Sequence, residues 1–176
     1  MELSSVMKSR RSIRAYKDME IDKDIIVELV KDAQLAPSWK NSQTARYYVA
    51  HSKEMREKLL SCLHDFNKER TANASAFIVT TVVHGISGYS SSGRETHLGN
   101  GFECFDNGLA VQNLLLSATE KGLGSLVMGL YNEQALRELF GIPANENIVV
   151  VLALGYADIS PDMPERKPTN DILVIK

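Results

Sequence analysis

Two uninterrupted apolar runs constrain the fold most: AFIVTTVV over Ala76–Val83 and IVVVLAL over residues 148–154. Both are short and rich in β-branched side chains. A strand with one wet face alternates apolar and polar residues, so a continuous run of this length predicts strands covered on both faces. The two are expected to be neighbours in a central sheet.

Around them the chain reads as helices, short strands and turns. Asp22 is an N-cap for an amphipathic helix carrying Ile25, Ile26, Leu29, Val30 and Ala33 and ending near Pro37. A polar loop over 38–44 leads to a strand-like run at 47–50. A second helix is expected over 53–67, with Met55, Leu59, Leu60 and Leu63 on its apolar face. The stretch 105–121 reads as a helix apolar on nearly all sides, which in a chain this small calls for extra cover such as a partner subunit. Gly122 and Gly124 end it, 125–128 is a strand, and Asn132 caps a short helix running to Phe140.

Two segments lie outside this regular pattern. The Gly/Ser-rich stretch 85–101 is too long for a routine connection and reads either as a lid beside the active site or as mobile surface. The tail beyond Gly155 holds three of the five prolines and the pair Arg166-Lys167, then closes on the apolar run 172–175. Such a run at the end of a polar, proline-rich arm predicts a strand added to a second subunit's sheet, an exchange within a dimer.

Bulk properties remove several classes of function. At 176 residues one domain over 1–176 is expected, and 44% hydrophobic with 24% charged residues gives no sign of disorder. A net charge of -2 provides no global field for nucleic acid or an anionic membrane. No stretch approaches the roughly 18–20 apolar residues of a membrane span, and the amino terminus lacks a signal peptide's apolar core, so a cytoplasmic location is expected. Cys62 and Cys104 form no CxxC or Cys/His pattern and read as two reduced thiols.

The densest positive charge is near the start, where Lys8, Arg10, Arg11, Arg14 and Lys17 surround Ser9 and Ser12. Guanidinium forks and hydroxyls suit a phosphate dianion, although a solvated face is the alternative. Gly122, Gly124 and Gly129 do not form a dinucleotide fingerprint, because they close a helix and precede a strand. There is no P-loop, no HExxH and no GxSxG; Asp22, Asp24, Glu28 and Asp32 read as outer-face charges rather than paired catalytic carboxylates. Trp39, the only tryptophan, is either a core ring or the edge of a site.

Taken in order, RRSIRAY, LAPSWKNSQTARYYV, FNKERTANAS, GLGSLVMG and RKP resemble the FMN-dependent nitroreductase family over nearly the whole chain. The resemblance implies an α+β fold, a mostly antiparallel sheet wrapped by helices, with the C-terminal strand exchanged in an interlocked homodimer and FMN sites at its interface. It implies Arg10, Arg11, Ser12 and Arg14 around the flavin phosphate and ribityl chain, with Arg166 and Lys167 closing over the phosphate. Pro37, Ser38, Trp39 and Asn41 would come from the other subunit to edge the ring. Asn67 and Arg70 would meet the pyrimidine side, with Arg70 as an electrostatic stabiliser. Leu126 and Val127 would line the ring face, and the backbone of Met128-Gly129 would meet its reactive edge.

The activity implied is an oxidoreductase that takes electrons from NADH or NADPH and reduces small organic acceptors by ping-pong two-electron transfer, with no metal and no amino-acid nucleophile. Nitroaromatics, quinones, enones and halogenated phenols are the acceptor classes in view. Trp39-Lys40 and Thr44-Ala45 depart from the family's usual loop and make the rim unusual, so Trp39 with Tyr89, Arg94 and His97 is where substrate selection would differ. Two alternatives stand beside this: a flavin-binding redox sensor or carrier without turnover, and an anion-binding interaction module.

Overall fold

The computed structural model describes residues 2–90, 92–93 and 95–176; Arg94 lies outside the described residues. The elements in chain order are α1 (Leu3–Ser9), α2 (Lys23–Gln34), β1 (Ala45–Ala50), α3 (Lys53–Ser61), α4 (Asp65–Arg70), β2 (Ala76–Val83), α5 (Gly101–Glu120), β3 (Gly124–Met128), α6 (Glu133–Phe140) and β4 (Glu146–Gly155). Single 3-10 turns occupy Trp39–Asn41 and Thr169–Asp171. The four strands form one sheet in the order β1-β2-β4-β3, and every neighbouring pair is antiparallel.

The continuous runs are the two central strands, paired from Ala76↔Leu154 to Val83↔Glu146 with a bulge at Thr80/Thr81. Alternation along β2 explains why neither face reads as wet. Phe77 and Val79 join Leu59, Leu136 and Val151 in a core under α3 and α6, whereas Ala76 and Ile78 join Ile26, Leu29, Leu114 and Leu152 under α2 and α5. Each fully buried Leu or Ile in these layers contributes about 1.5–3 kcal/mol of apolar transfer.

Helix ends follow local chemistry. Asp22 accepts from the Asp24 N–H, Asn132 accepts from the Ala135 N–H, and Gly141 takes the left-handed conformation (φ 64°) that closes α6. The helix expected over 53–67 is two helices. It breaks at Cys62–His64, where Leu63 bridges to Tyr131 and Cys62 accepts from the Asn132 N–H at 2.7 Å. The long helix begins at Gly101, four residues before the expected start, with no side-chain cap on Asn100 to mark it. It also buries Glu103, Asp106 and Asn107, so it is less uniformly apolar inside than its outer residues suggest.

The tail forms no strand within this chain: residues 172–175 are exposed, Ile175 by 85%. Both cysteines are free thiols, Cys62 buried, with its thiol pKa pushed up by that burial, and Cys104 exposed. Among the described residues no helix is long and apolar enough to cross a membrane.

Candidate functional site

The basic segment after α1 is strapped along the outer edge of β3. Arg10 N–H closes α1 on the Val6 carbonyl, Ser12 bridges in parallel to Ser125, and Ile13 N–H donates to the Ser125 carbonyl at 2.9 Å. The Tyr16 hydroxyl then donates back to the Ile13 carbonyl at 3.0 Å, and burial pushes this phenol's pKa far up. Gly124 permits the approach, since a Cβ there would sit 2.7 Å from Ile13 Cγ1. The strap therefore has a fixed height above the strand.

Charge on the strap is uncompensated. Among the described residues Arg10 makes no side-chain hydrogen bond or ion pair, and Arg14 reaches only the Ser12 carbonyl at 3.2 Å. Arg11 turns back to the Lys8 and Arg10 carbonyls at 2.6 and 3.0 Å and caps α1, while its Nε is buried without a partner among the described residues. By contrast Arg56 and Arg137 are ion-paired to Glu20 and Glu133. Clustered guanidiniums without an ion-pair partner among the described residues, beside a serine, suit an external anion.

The far end of β3 presents a different chemistry. Because the Ser125 carbonyl points to the strap, alternation turns the Val127 N–H and C=O to the same open edge. Leu126 and Met128 project into the core, whereas Val127 and Gly129 are exposed. This corrects the expectation that Leu126 and Val127 line one face: adjacent residues of a strand face opposite ways, so only Val127 offers its side chain. Beyond it, Asn67 of α4 donates from Nδ2 to the Leu130 carbonyl at 3.4 Å and is almost fully buried. Arg70 lies with Cζ 3.4 Å above the Phe66 ring, and no carboxylate partner holds it among the described residues. A cavity of about 600 Å³ opens beside this end, lined by His64, Lys68, Gly129 and Tyr131 among others.

The remaining candidates lie elsewhere. Pro37, Ser38, Trp39 and Asn41 form a loop that bonds to α5 and to residues 87–89 rather than to the strap. Trp39 N–H donates to Asp106 Oδ2 at 2.9 Å, Trp39 Nε1 donates to the Tyr89 carbonyl at 2.8 Å, and its half-buried ring packs 4.7 Å from that of Phe102. Trp39 is thus both packed and at a rim. Ser38 Oγ accepts from the Gln43 N–H at 3.0 Å. Lys40, Asn41 and Gln43 all have positive φ (49°, 56° and 49°), a concentration of non-glycine residues in left-handed backbone that only a well-determined surrounding sustains. Arg166 and Lys167 sit in the exposed tail, and among the described residues Arg166 bonds only the Pro164 and Glu165 carbonyls.

Sequence reasoning missed Asp106. It was hidden in a stretch read as apolar, and only its burial in the fold distinguishes it. The residue is 5% exposed, and Ser87 Oγ also donates to its Oδ2, at 2.7 Å.

The model of the nitroreductase family matches residues 7–156. An Archaeoglobus fulgidus protein named "Putative NADH dehydrogenase/NAD(P)H nitroreductase" is 34% identical over 168 residues, covering 93% of this chain and 90% of that protein. A Methanothermobacter thermautotrophicus protein of the same name is 30% identical, covering 92% of this chain and 80% of its own length. Among solved structures, a nitroreductase-type protein of Exiguobacterium sibiricum in complex with FMN superposes with a TM-score of 0.86 at 24% identity, over 100% of this chain and 98% of that one. The sequence matches and the shared architecture agree: this chain belongs to the nitroreductase family.

Proposed function

We propose that this chain binds FMN and, with NADH or NADPH as electron donor, reduces small organic acceptors such as nitroaromatics and quinones in a ping-pong, two-electron cycle. One observation carries the reading: a single open strand edge has uncompensated arginines at one end and Asn67 with Arg70 at the other. From Ser125 to Gly129 that edge runs four residues, about 13 Å at the rise of a strand. Such a cradle suits a molecule with a phosphate at one end and a flat heterocycle at the other.

The residues present fit FMN. Arg10, Ser12 and Arg14 offer donors to the phosphate, and the buried, unpartnered Nε of Arg11 is a further donor beside it. Arg166 and Lys167 are free to close over the same group from the tail. When bound, FMN supplies the hydride-accepting and hydride-donating centre that no side chain here provides. The Val127–Gly129 backbone would orient its edge through the open strand groups. Asn67 and Arg70 would meet the pyrimidine side, where a fixed guanidinium charge would stabilise the negative charge of the reduced cofactor and favour paired electron transfer. The contact with the Phe66 ring restrains that guanidinium, and among the described residues no carboxylate competes for its N–H groups.

The working unit in this reading is a homodimer built from one FMN-binding domain per chain. Among the described residues the loop carrying Pro37, Ser38, Trp39 and Asn41 makes no bond to its own strap, and it is suited to complete a partner's site. The outer edge of β1 is open, and an apolar groove of about 650 Å³ lined by Ile26, Val27, Val30, Tyr47 and Val49 runs beside it. Ile172, Leu173, Val174 and Ile175 of a partner's tail are exposed apolar side chains that suit that groove. Steady-state rates with NAD(P)H and a nitroaromatic or quinone test the function. Parallel double-reciprocal lines support it, whereas flavin bleaching without turnover would favour the sensor or carrier alternative.

A further inference from the structure

We propose that Asp106 is a positioning residue: its buried carboxylate fixes the 37–44 loop and the 85–90 segment as one rigid rim, and so sets acceptor recognition without touching the acceptor. The inference rests on the FMN reading above, in which the Trp39 loop borders a flavin.

The geometry is a convergent lock. Asp106 Oδ2 alone accepts from Trp39 N–H at 2.9 Å and Ser87 Oγ at 2.7 Å. Ser87 Oγ in turn lies 3.0 Å from Ser42 Oγ and 3.4 Å from Thr44 Oγ1, so one carboxylate oxygen reaches both ends of the loop. Trp39 Nε1 ties the same loop to the Tyr89 carbonyl. Asp106 is 5% exposed and has no Lys or Arg partner among the described residues, so donors from the two segments are what hold it. Charge-assisted bonds are the strong ones, and removing a buried acceptor strands every donor aimed at it.

The loop also requires such a lock. Lys40, Asn41 and Gln43 in left-handed backbone persist only where the surroundings over-determine them. Without Oδ2, the Trp39 N–H and Ser87 hydroxyl lose their shared anchor, and the loop is free to relax. Trp39, which packs on Phe102, then leaves its place at the rim.

Trp39 is the only tryptophan, so its emission reports the loop directly. In the purified holoenzyme, Asp106→Ala should shift that emission to longer wavelength, increase its quenching by acrylamide and raise the acceptor KM about tenfold or more. The kcat should stay within about twofold and the FMN content should fall far less than the KM rises, because the phosphate end of the site is built from the strap and the loop only edges the ring. Asp106→Asn should restore emission and KM, since a single acceptor oxygen takes both bonds. Ser87→Ala should fall between and carries the test if Asp106→Ala fails to fold. Wild-type emission and KM in a folded Asp106→Ala, or in Ser87→Ala where that variant carries the test, overturns the proposal, as does failure of Asp106→Asn to rescue. A colourless wild type would instead defeat the FMN reading, and the acceptor half of this proposal with it.

Discussion

Replacing Gly124 by alanine tests whether the strap's height above β3 controls cofactor binding. The new Cβ would sit 2.7, 3.0 and 3.1 Å from Ile13 Cγ1, Cβ and Cγ2, where ordinary contact begins at 3.4 Å. Ile13 is buried and cannot swing aside, so it must retreat by about 0.7 Å, the gap between 2.7 and 3.4 Å. That retreat takes the 2.9 Å bond from Ile13 N–H to the Ser125 carbonyl to about 3.6 Å, beyond hydrogen-bond range. Overpacking of this kind costs about 1–3 kcal/mol. Because Ser12 and Arg10 ride on the same backbone, a loss of that size at the phosphate corresponds to about a 5- to 150-fold weaker FMN affinity. The assay is the flavin-to-protein ratio after desalting, followed by FMN titration of the stripped protein. Gly122→Ala is the control, since its Cβ would meet nothing within 4 Å and only its positive φ is strained. Ile13→Ala added to Gly124→Ala should recover part of the affinity. Wild-type FMN binding by a folded Gly124→Ala, or an equal loss in Gly122→Ala, would refute the reasoning.

Arg10→Ala combined with Arg166→Ala should weaken FMN about 100-fold or more, because each charge-assisted bond contributes about 1.5–3 kcal/mol; undiminished retention on desalting would displace the phosphate from the strap. Arg70→Ala should lower the two-electron potential by about 30 mV, equivalent to about 1.4 kcal/mol, with a smaller change in affinity, and an unaltered potential by redox titration would remove Arg70 from this role. Burial raises the pKa of Tyr16 in the folded state. Stability from this group is therefore complete below its unfolded value of about 10 and falls as pH rises above it, because the unfolded chain ionises first. Tyr16→Phe should cost about 1 kcal/mol at neutral pH, from the bond to the Ile13 carbonyl, and flatten the decline between about pH 10 and 11, with Tyr47, Tyr48 and Tyr131 contributing the remaining slope. Denaturant midpoints across that range read both effects.

The central pair β2 and β4 was legible because continuous apolar runs have one economical placement, between two covered faces. Asp22, Asn132 and Gly141 marked helix ends through chemistry confined to a few neighbouring residues. Where ends depend on distant partners, sequence failed. The break between α3 and α4 is set by pairing with residues 130–132, and the start of α5 has no capping side chain. Helix α1 has only seven residues, with Val6 alone buried, too little for a periodic signal.

The site divides in the same way. The strap was visible as a cluster of charge and serine, yet which arginine is free is a matter of conformation: the Arg11 side chain caps α1, whereas the Arg10 side chain makes no hydrogen bond or ion pair among the described residues. The opposing directions of Leu126 and Val127 follow from strand alternation once 125–128 is read as a strand, and the resemblance overrode it. Asp106 and the left-handed residues of the Trp39 loop were invisible, since burial of a charge and the sign of φ are properties of packing.

The most direct test of the central claim is the absorbance spectrum of the purified protein after desalting. Bound FMN should give a flavin band in the blue that remains with the protein and bleaches on addition of NADH or NADPH. A colourless protein that cannot be reconstituted with FMN would contradict it.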